Sequence, residues 1–296
     1  MNYVDIESNE YPILLRQIKD PPPNLYFKGT WDINIFNNTL SVVGSRKMTR
    51  YGEIITDKLV SQIAVKEITI VSGFMYGIDA QAHNAAVEAG GRTIAVMPCG
   101  IERIHPEYQV DLYNRIINNN GLIVSEYPGD TPPALWTYPR RNRIIAGLSP
   151  ILLVLEAGVK SGALITAKIA KKYNKKIFAV PGPLTSSVSI GTALLIKNGA
   201  QIVTGAKDIL SEYGIVENNE LFSKRATYGQ NKVQNKVQLK ILQILSEEPM
   251  GIDDISRLVG KQISEIGADM TVLSLKKYLS LNEGKYYLVN GDSNVN

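Results

Sequence analysis

The 296-residue sequence contains one cysteine, Cys99, and only two histidines, His83 and His105. One cysteine excludes an intrachain disulfide, and so few cysteines and histidines argue against a metal site. No Ser/His/Asp order typical of a nucleophilic triad is present. No apolar run approaches the roughly 18 residues that span a membrane, and the N-terminus lacks the basic and apolar segments of a signal peptide. These absences predict a cytoplasmic protein without a metal or other cofactor.

The composition is typical of a soluble globular protein. Hydrophobic residues make up 44% of the chain and charged residues 20%, and the formal net charge at pH 7 is +4. The length is sufficient for a sizeable core and about two domains. The mild positive excess permits a polyanionic partner such as nucleic acid but does not require one.

Short apolar segments alternate with helical segments over residues 39–214. Strands are predicted at Leu40–Val43, Ile68–Val71, Thr93–Met97, Leu122–Val124, Ile151–Leu155, Lys176–Val180 and Gln201–Val203. Helices are predicted at Tyr51–Val65, Ile78–Ala89, Pro106–Asn119, Leu164–Tyr173 and Thr192–Lys197. Almost fully apolar strands separated by helices are typical of a parallel sheet covered on both faces. The sequence therefore predicts an α/β domain with a doubly wound, mostly parallel Rossmann-like sheet, preceded by an irregular lead-in over residues 1–38.

The last part of the chain differs in composition. Residues 215–233 have few apolar positions and many Asn, Lys and Gln residues, which is typical of a linker. Residues 234–291 contain three helical segments and then two short strand-like segments. This order predicts a small C-terminal winged-helix module. Its third helix carries basic residues only at its far end, which favours protein contacts over the reading of double-stranded DNA.

The first predicted strand ends in a glycine turn with adjacent basic residues. Gly44 and Ser45 follow the apolar run, Arg46 and Lys47 come next, and a helix begins near Thr49. In this layout backbone N–H groups and a helix N-terminus face an anion. The turn has one glycine where a dinucleotide fingerprint has three, so an ordinary tight turn is an equal alternative.

Glycine and serine residues also follow other predicted strands. Ser72 and Gly73 follow the second strand, and Lys160, Ser161 and Gly162 come after the fifth. Ligands of open parallel sheets bind beyond the carboxyl ends of the strands. Several such turns together predict a long rim of N–H donors, which suits a chain of phosphates better than one small molecule.

The most basic cluster lies between the fourth and fifth predicted strands. It contains Arg140, Arg141 and Arg143 in the segment YPRRNRIIAG. One interpretation is a solvated basic turn, or ion pairs with Glu126 and Glu156. The other is phosphate binding through guanidinium groups, which match phosphate oxygens in bidentate geometry.

Two further pairs of side chains have alternative interpretations. Trp136 and Tyr138 can stack on the bases of a single strand, although core packing explains Trp136 equally well. Asp79 and His83 have the helical spacing of a carboxylate that orients a general base. We favour the simpler interpretation, in which Asp79 complements the helix N-terminus and His83 packs in the core.

Taken together, these motifs resemble the DNA-processing protein A family, DprA, also called Smf. The resemblance covers about residues 11–212. It rests on VVGSRKMTRYG (42–52), SGFMYGIDAQAH (72–83), GGRTIAVMPCG (90–100), SEYP (125–128), YPRRNRIIAGLS (138–149), VLEAGVKSGALITA (154–167) and VPGPLTSSVSIGTALLIKNGA (180–200), which match in order and spacing.

The resemblance implies a single-stranded DNA-binding protein that forms homodimers or larger assemblies. Members of the family protect incoming strands in natural transformation and load a RecA-type recombinase onto them; they are not known as enzymes. Phosphate binding is implied most directly for Arg46. Similar roles are implied for the Ser72–Gly73 turn, the Arg140–Arg143 segment and the Lys160–Gly162 loop. One departure is Tyr76, which stands where the family usually has an arginine, so that one basic contact is lost or replaced by stacking.

An enzyme is the alternative. Rossmann-like relatives of this pocket cleave the N-glycosidic bond of nucleotides with a glycine-rich phosphate loop and a catalytic glutamate. The equivalent segment here, EAGVKSGALIT from Glu156 to Thr166, lacks that loop. The binding hypothesis predicts that Arg46→Glu and Arg141→Glu each weaken oligo(dT) binding with little change in the thermal melt.

Overall fold

The computed structural model describes residues 1–215, 236–276, 278–282 and 284–288. The chain divides into two compact units, Met1–Val216 and Glu217–Asn296. No helix within the described ranges is long and apolar enough to cross a membrane.

The first unit is built on one nine-stranded sheet in the order β1-β2-β6-β5-β4-β3-β7-β8-β9. The strands are β1 (Asn2–Asp5), β2 (Asn24–Lys28), β3 (Thr39–Val43), β4 (Thr69–Gly73), β5 (Thr93–Val96), β6 (Leu122–Ser125), β7 (Ile151–Val154), β8 (Lys176–Ala179) and β9 (Gln201–Ile202). The seven neighbouring strands β6-β5-β4-β3-β7-β8-β9 pair in parallel, and the strand order reverses between β3 and β7. The doubly wound, mostly parallel α/β prediction is confirmed.

Helices cover both faces of this sheet. They are α1 (Ile13–Arg16), α2 (Arg50–Ala64), α3 (Ile78–Glu88), α4 (Val110–Asn118), α5 (Thr137–Gly147), α6 (Gly162–Lys172), α7 (Ile190–Lys197) and α8 (Ala206–Leu210). On one face, α2, α3, α4 and α8 pack on apolar strand residues such as Val42; on the other, α1, α5 and α6 pack on residues such as Val43. Successive strand residues point to opposite faces, so an apolar strand supplies two cores.

The first 38 residues differ from the expected irregular lead-in. They contain β1 and β2, which pair antiparallel with each other and, through β2, with β6. Tyr26 on β2 pairs with Ser125, about a hundred positions further along the chain. Such short strands are stabilised by a distant neighbour, so the local pattern around the prolines at 21–23 does not reveal them.

Helix α5 was not predicted, because its sequence was interpreted as a basic segment. Pro139 lies in its first turn, where a missing backbone N–H costs nothing. Ile144 and Ile145 are buried against the sheet, but so are Arg141 and Arg143. Charged residues at buried positions hide the apolar periodicity by which a helix is identified.

The second unit contains α9 (Lys236–Glu247), α10 (Ile252–Val259), α11 (Ile263–Leu275) and an antiparallel hairpin of β10 (Leu279–Asn282) and β11 (Lys285–Leu288). Buried residues that include Ile241, Ile255 and Ile266 form its core. The elements follow in the expected order, and the winged-helix assignment stays a prediction. The predicted linker, residues 215–233, lies outside the described residues except for its first residue.

Candidate nucleic-acid interface

The turn after β3 lies at the carboxyl edge of the sheet, where the strand order reverses. Ile78 N donates to Ser45 O at 3.1 Å, which joins this turn to the start of α3. A Cβ on Gly44 would lie 2.5 Å from the Ile78 side chain, and one on Gly77 would lie 2.3 Å from Ser45 O. Gly77 also has a φ of +78°. Close packing of two turns therefore requires both glycines.

The N-terminus of α2 holds an anion from the protein itself. Thr49 caps the helix by accepting from Gly52 N at 3.1 Å. Glu156, which follows β7 and is only 2% exposed, accepts from Thr49 N at 3.0 Å and from Thr49 Oγ1 at 2.5 Å. A Cβ on Gly52 would lie 2.3 Å from this carboxylate. The position at which Rossmann folds place a phosphate is therefore filled by Glu156.

Arg46 extends from the same turn and is exposed. Its guanidinium carbon lies 5.8 Å from the ring centroid of Tyr76 and 5.2 Å from that of Tyr138. Both distances are within the range of cation–π attraction. Tyr138 is in turn fixed by a 2.8 Å hydrogen bond between its hydroxyl and His105 Nε2. None of the described carboxylates forms an ion pair with Arg46. The guanidinium lies against two rings, and no described carboxylate is within ion-pair distance of it.

The turn after β4 is shaped by buried contacts. Ser72 Oγ donates to Val42 O at 2.7 Å, which links β4 to β3. A Cβ on Gly73 would lie 2.3 Å from Asp79 Oδ2 and 2.5 Å from a terminal nitrogen of Arg141. Burial raises the pKa of Asp79 to about 6, although Arg141 and Arg46 oppose this shift. Gly73 thus leaves room for an Asp79–Arg141 cluster beside Arg46, in which Arg141 is buried and Asp79 is half-buried.

Arg141 lies beneath the surface of this edge. Only 3% of the residue is exposed, and its guanidinium donates to Val96 O at the end of β5. Its Nε has no hydrogen-bond partner among the described residues, and burial lowers its pKa to about 10. The structure therefore changes the expectation for Arg141→Glu: the substitution alters a buried cluster, and the melt should change.

Arg140 and Arg143 form ion pairs with Glu126, as one of the two interpretations predicted. Arg140 Nε lies 3.2 Å from Glu126 Oε2, and Arg143 contacts Glu126 and, at 3.3 Å, Asp20. The predicted pairing with Glu156 is wrong, because that carboxylate binds Thr49 instead. Arg143 and Glu126 are buried, whereas Arg140 remains exposed on α5. The three arginines therefore differ in accessibility.

His83 packs in the core, as the simpler interpretation predicted. Its Nε2 lies 2.7 Å from Gly73 O and its Nδ1 lies 2.7 Å from Thr93 Oγ1. Burial lowers the pKa of His83 to about 4. Because both ring nitrogens have partners other than Asp79, no carboxylate–histidine base is formed here.

The loop after β7 leads into α6 at the same edge. Ser161 caps that helix by accepting from Ala163 N at 3.2 Å. Lys160 and Gly162 are exposed on either side of it. Because β7 is the neighbour of β3, this loop and the Arg46 turn follow adjacent strands.

Sequence reasoning missed two contacts at this edge of the sheet. Tyr76 was noted as a departure from the family, but nothing in its spacing revealed the contact with Arg46. Glu156 was assigned to the wrong partner. Trp136 is 59% exposed, which does not fit core packing, and its ring meets that of Tyr127 edge-on at 6.0 Å. Cys99 is fully buried, as expected of a small hydrophobe.

Comparisons with known proteins fit this arrangement. Residues 2–214 match the family model for DNA recombination-mediator protein A. The chain is 38% identical to the DNA processing protein DprA of Bacillus subtilis over 212 residues, which cover 72% of this chain and 71% of that protein.

Two solved structures are similar. DNA processing protein A from Streptococcus pneumoniae matches with a TM-score of 0.67 and 36% identity, over 71% of this chain and 74% of that chain. DNA processing protein A from Helicobacter pylori, a structure described for its single-stranded DNA binding mode, matches with a TM-score of 0.63 and 31% identity, over 71% of this chain and 95% of that chain. The sequence resemblance is confirmed, and the chain belongs to the DNA recombination-mediator protein A family.

Proposed function

We propose that this chain binds single-stranded DNA along the carboxyl edge of its sheet, with Arg46 as the central phosphate contact. The observation that carries the proposal is the exposed guanidinium, fixed between Tyr76 and Tyr138 and without a described carboxylate partner. A fixed, unpaired cation at a protein surface is suited to a phosphate, because neither an ion pair nor much side-chain freedom is lost on binding.

The other predicted site residues divide into two groups under this proposal. Those with exposed side chains or backbone are the further contacts to the strand: Lys47, Arg140, Lys160 and Gly162. Those that are buried or packed shape the edge on which the strand lies: Gly44, Ser45, Ser72, Gly73, Arg141, Arg143 and Ser161. The similarity to the Helicobacter pylori protein, whose single-stranded DNA binding mode is known, supports the same ligand class.

The finer roles follow from family membership. Loading of a RecA-type recombinase, protection of incoming strands in transformation and assembly as a homodimer are proposed for this chain on that basis. Strand protection and recombinase loading both require DNA binding, so the binding experiment precedes the others.

The test is a fluorescence titration of the full chain with labelled oligo(dT) at several salt concentrations. A protein that neutralises several phosphates of a single strand gives a slope of log K against log salt of about −0.7 per contact. Arg46→Glu should lower the affinity by about a hundredfold, because it replaces an attraction by a repulsion of similar size. Lys66→Glu is the matched control: this exposed residue follows α2 before β4 begins, at the opposite edge of the sheet.

The proposal requires that Arg46→Glu has the same melting temperature as the wild type. It also requires that Lys66→Glu binds oligo(dT) with the affinity of the wild type. Equal affinities of the two variants for oligo(dT) would contradict the assignment of Arg46. Tight binding of thymidine monophosphate with no binding of oligo(dT), or turnover of the nucleotide, would support the enzyme alternative instead.

A further inference from the structure

A cavity of about 620 Å³ opens beside the first turn of α5. Its walls come from α1 and the residues after it, from the first half of α5, and from the C-terminal end of α6 and the residues after it. The volume is within the range of small-molecule sites, about 300–1,000 Å³. Most of the residues that line the cavity do not belong to the interface described above.

The side chains that line the cavity carry more positive than negative charges. Five of its lining side chains are cationic, namely Lys19, Arg140, Arg143, Lys172 and Lys175, and one is a carboxylate, Asp20. Asp20 and Glu126 compensate the two arginines. None of the described carboxylates lies within ion-pair distance of the three lysines. Three positive charges therefore remain uncompensated.

The ammonium group of Lys175 is partly desolvated. The residue is half-buried, and burial lowers the pKa of its ammonium group. Its backbone is fixed at the end of α6, where Lys175 N donates to Ala170 O at 3.0 Å and Asn174 has a φ of +56°. A partly desolvated cation without a counter-charge is unfavourable, and a bound anion would remove that cost.

Apolar side chains complete the walls. Leu14, Ile18, Pro139 and Ile169 line the cavity together with the half-buried ring of Tyr173. Such a lining, next to several lysines, accommodates an anion that also carries a flat or apolar group. Inorganic phosphate would leave this surface and most of the volume empty, whereas a nucleotide has both a phosphate and a ring that stacks on aromatic side chains.

We infer that this cavity is a nucleotide-phosphate site in which Lys19, Lys172 and Lys175 contact the phosphate. Two sources supply that chemistry: a free nucleotide, or the strand bound at Arg46. Tyr138 contacts Arg46, and the next residues, Pro139 and Arg140, line the cavity. A strand that follows the first turn of α5 therefore passes from Arg46 to the cavity. Occupation of the cavity by this strand rests on the proposed function, whereas binding of a free nucleotide does not.

The experiment compares charge removal inside and outside the cavity on the same helix. The double variant Lys172→Ala/Lys175→Ala removes two cavity lysines, and Lys168→Ala/Lys171→Ala removes two exposed lysines of α6 that do not line it. Lys19→Ala tests the cavity from a separate segment, so a local change at the end of α6 cannot account for all results. Each full-length variant is titrated with a long labelled oligo(dT) and, separately, with thymidine monophosphate, after its thermal melt is recorded.

If the strand occupies the cavity, Lys172→Ala/Lys175→Ala loses affinity for long oligo(dT) by about tenfold, and its salt slope falls by about 1.4 for two lost phosphate contacts. Lys19→Ala should show about half of the change in slope, and Lys168→Ala/Lys171→Ala should match the wild type. If a free nucleotide is the ligand, the same cavity variants lose binding of thymidine monophosphate and keep that of oligo(dT).

The inference is overturned if folded cavity variants and the control double variant bind both ligands with equal affinity. Failure of the proposed function looks different. In that case the wild type does not bind oligo(dT), Arg46→Glu has no effect, and the monophosphate titration still decides the role of the cavity.

Discussion

Arg46 and Arg141 lie at the same edge of the sheet, yet they have opposite surroundings. Arg46 is exposed, and its guanidinium lies over the faces of two tyrosine rings. Arg141 is 3% exposed, donates to Val96 O and lies beside Asp79 across Gly73. The first arginine can therefore exchange water for a phosphate, whereas the second supports the surface from below. Arginine content alone does not reveal which arginines are accessible to a ligand.

The largest effect is expected for Arg141→Glu. The substitution places a second carboxylate beside the covered Asp79 and removes the cation that opposes its burial. We expect the free energy of unfolding to fall by about 4 kcal/mol, the range for a broken buried charge pair. Urea denaturation measures this loss, and Arg46→Glu is the control that should leave the midpoint unchanged. If Arg141→Glu is as stable as Arg46→Glu, the two arginines do not differ in the way described.

A slightly smaller loss of stability is expected for Arg143→Ala. Its removal leaves the buried carboxylate of Glu126 with the exposed Arg140 as its remaining guanidinium partner. The free energy of unfolding should fall by about 3 kcal/mol. Arg140→Ala, which removes the exposed partner of the same carboxylate, should cost less than about 1 kcal/mol. Denaturation curves with equal midpoints for these two variants would contradict the assigned burial.

Tyr76→Ala should change affinity more than stability. It removes one of the two rings that fix Arg46, and exposed cation–π contacts contribute about 0.5–1 kcal/mol. We expect an affinity for oligo(dT) about threefold lower with an unchanged salt slope, because no phosphate contact is lost. Tyr76→Phe keeps the ring and should bind like the wild type. In an Arg46→Ala background the effect of Tyr76→Ala should vanish; a persistent effect would mean that the ring contacts DNA directly.

The pH dependence of stability separates two groups that titrate with opposite sign. His83, with a pKa lowered to about 4, binds fewer protons when folded, so its contribution makes stability rise with pH between about 4 and 6.5. Asp79, with a pKa raised to about 6, binds more protons when folded, so its contribution makes stability fall between about 4 and 6. Asp79→Asn removes the second contribution.

We therefore expect the stability of Asp79→Asn to rise more steeply than that of the wild type from pH 4 to pH 6. Thermal melts in a series of buffers measure the difference, and the two curves should run parallel above about pH 7. Parallel curves at all pH values would mean that Asp79 titrates as it does in an unfolded chain.

The sequence predicted the parallel part of the fold because most of its strands are almost fully apolar, which leaves little ambiguity. It did not predict β1 and β2, whose pairing depends on β6 far along the chain. Helix α5 was missed for a related reason. Buried Arg141 and Arg143 are compensated by Asp79 and Glu126, which lie in other segments, and a local pattern cannot show such partners.

The sequence predicted which residues follow the strands of the sheet, but it did not predict their individual contacts. Residues that follow the strands were expected at one edge, because parallel strands share a direction. Whether Gly44 and Gly73 serve a ligand or close packing depends on Ile78, Asp79 and Arg141, and their positions follow only from the assembled core. The same holds for Tyr76, whose contact with Arg46 joins two turns from different strands.

The carboxylate of Glu156 acts as a permanent internal counter-ion. It neutralises the positive end of α2 whether or not a ligand is present, and it is anchored by Thr49. The folded sheet therefore does not depend on an external phosphate to complete its first turn. Under the proposed function, a strand held by side chains on the rim arrives and leaves without uncovering that helix end.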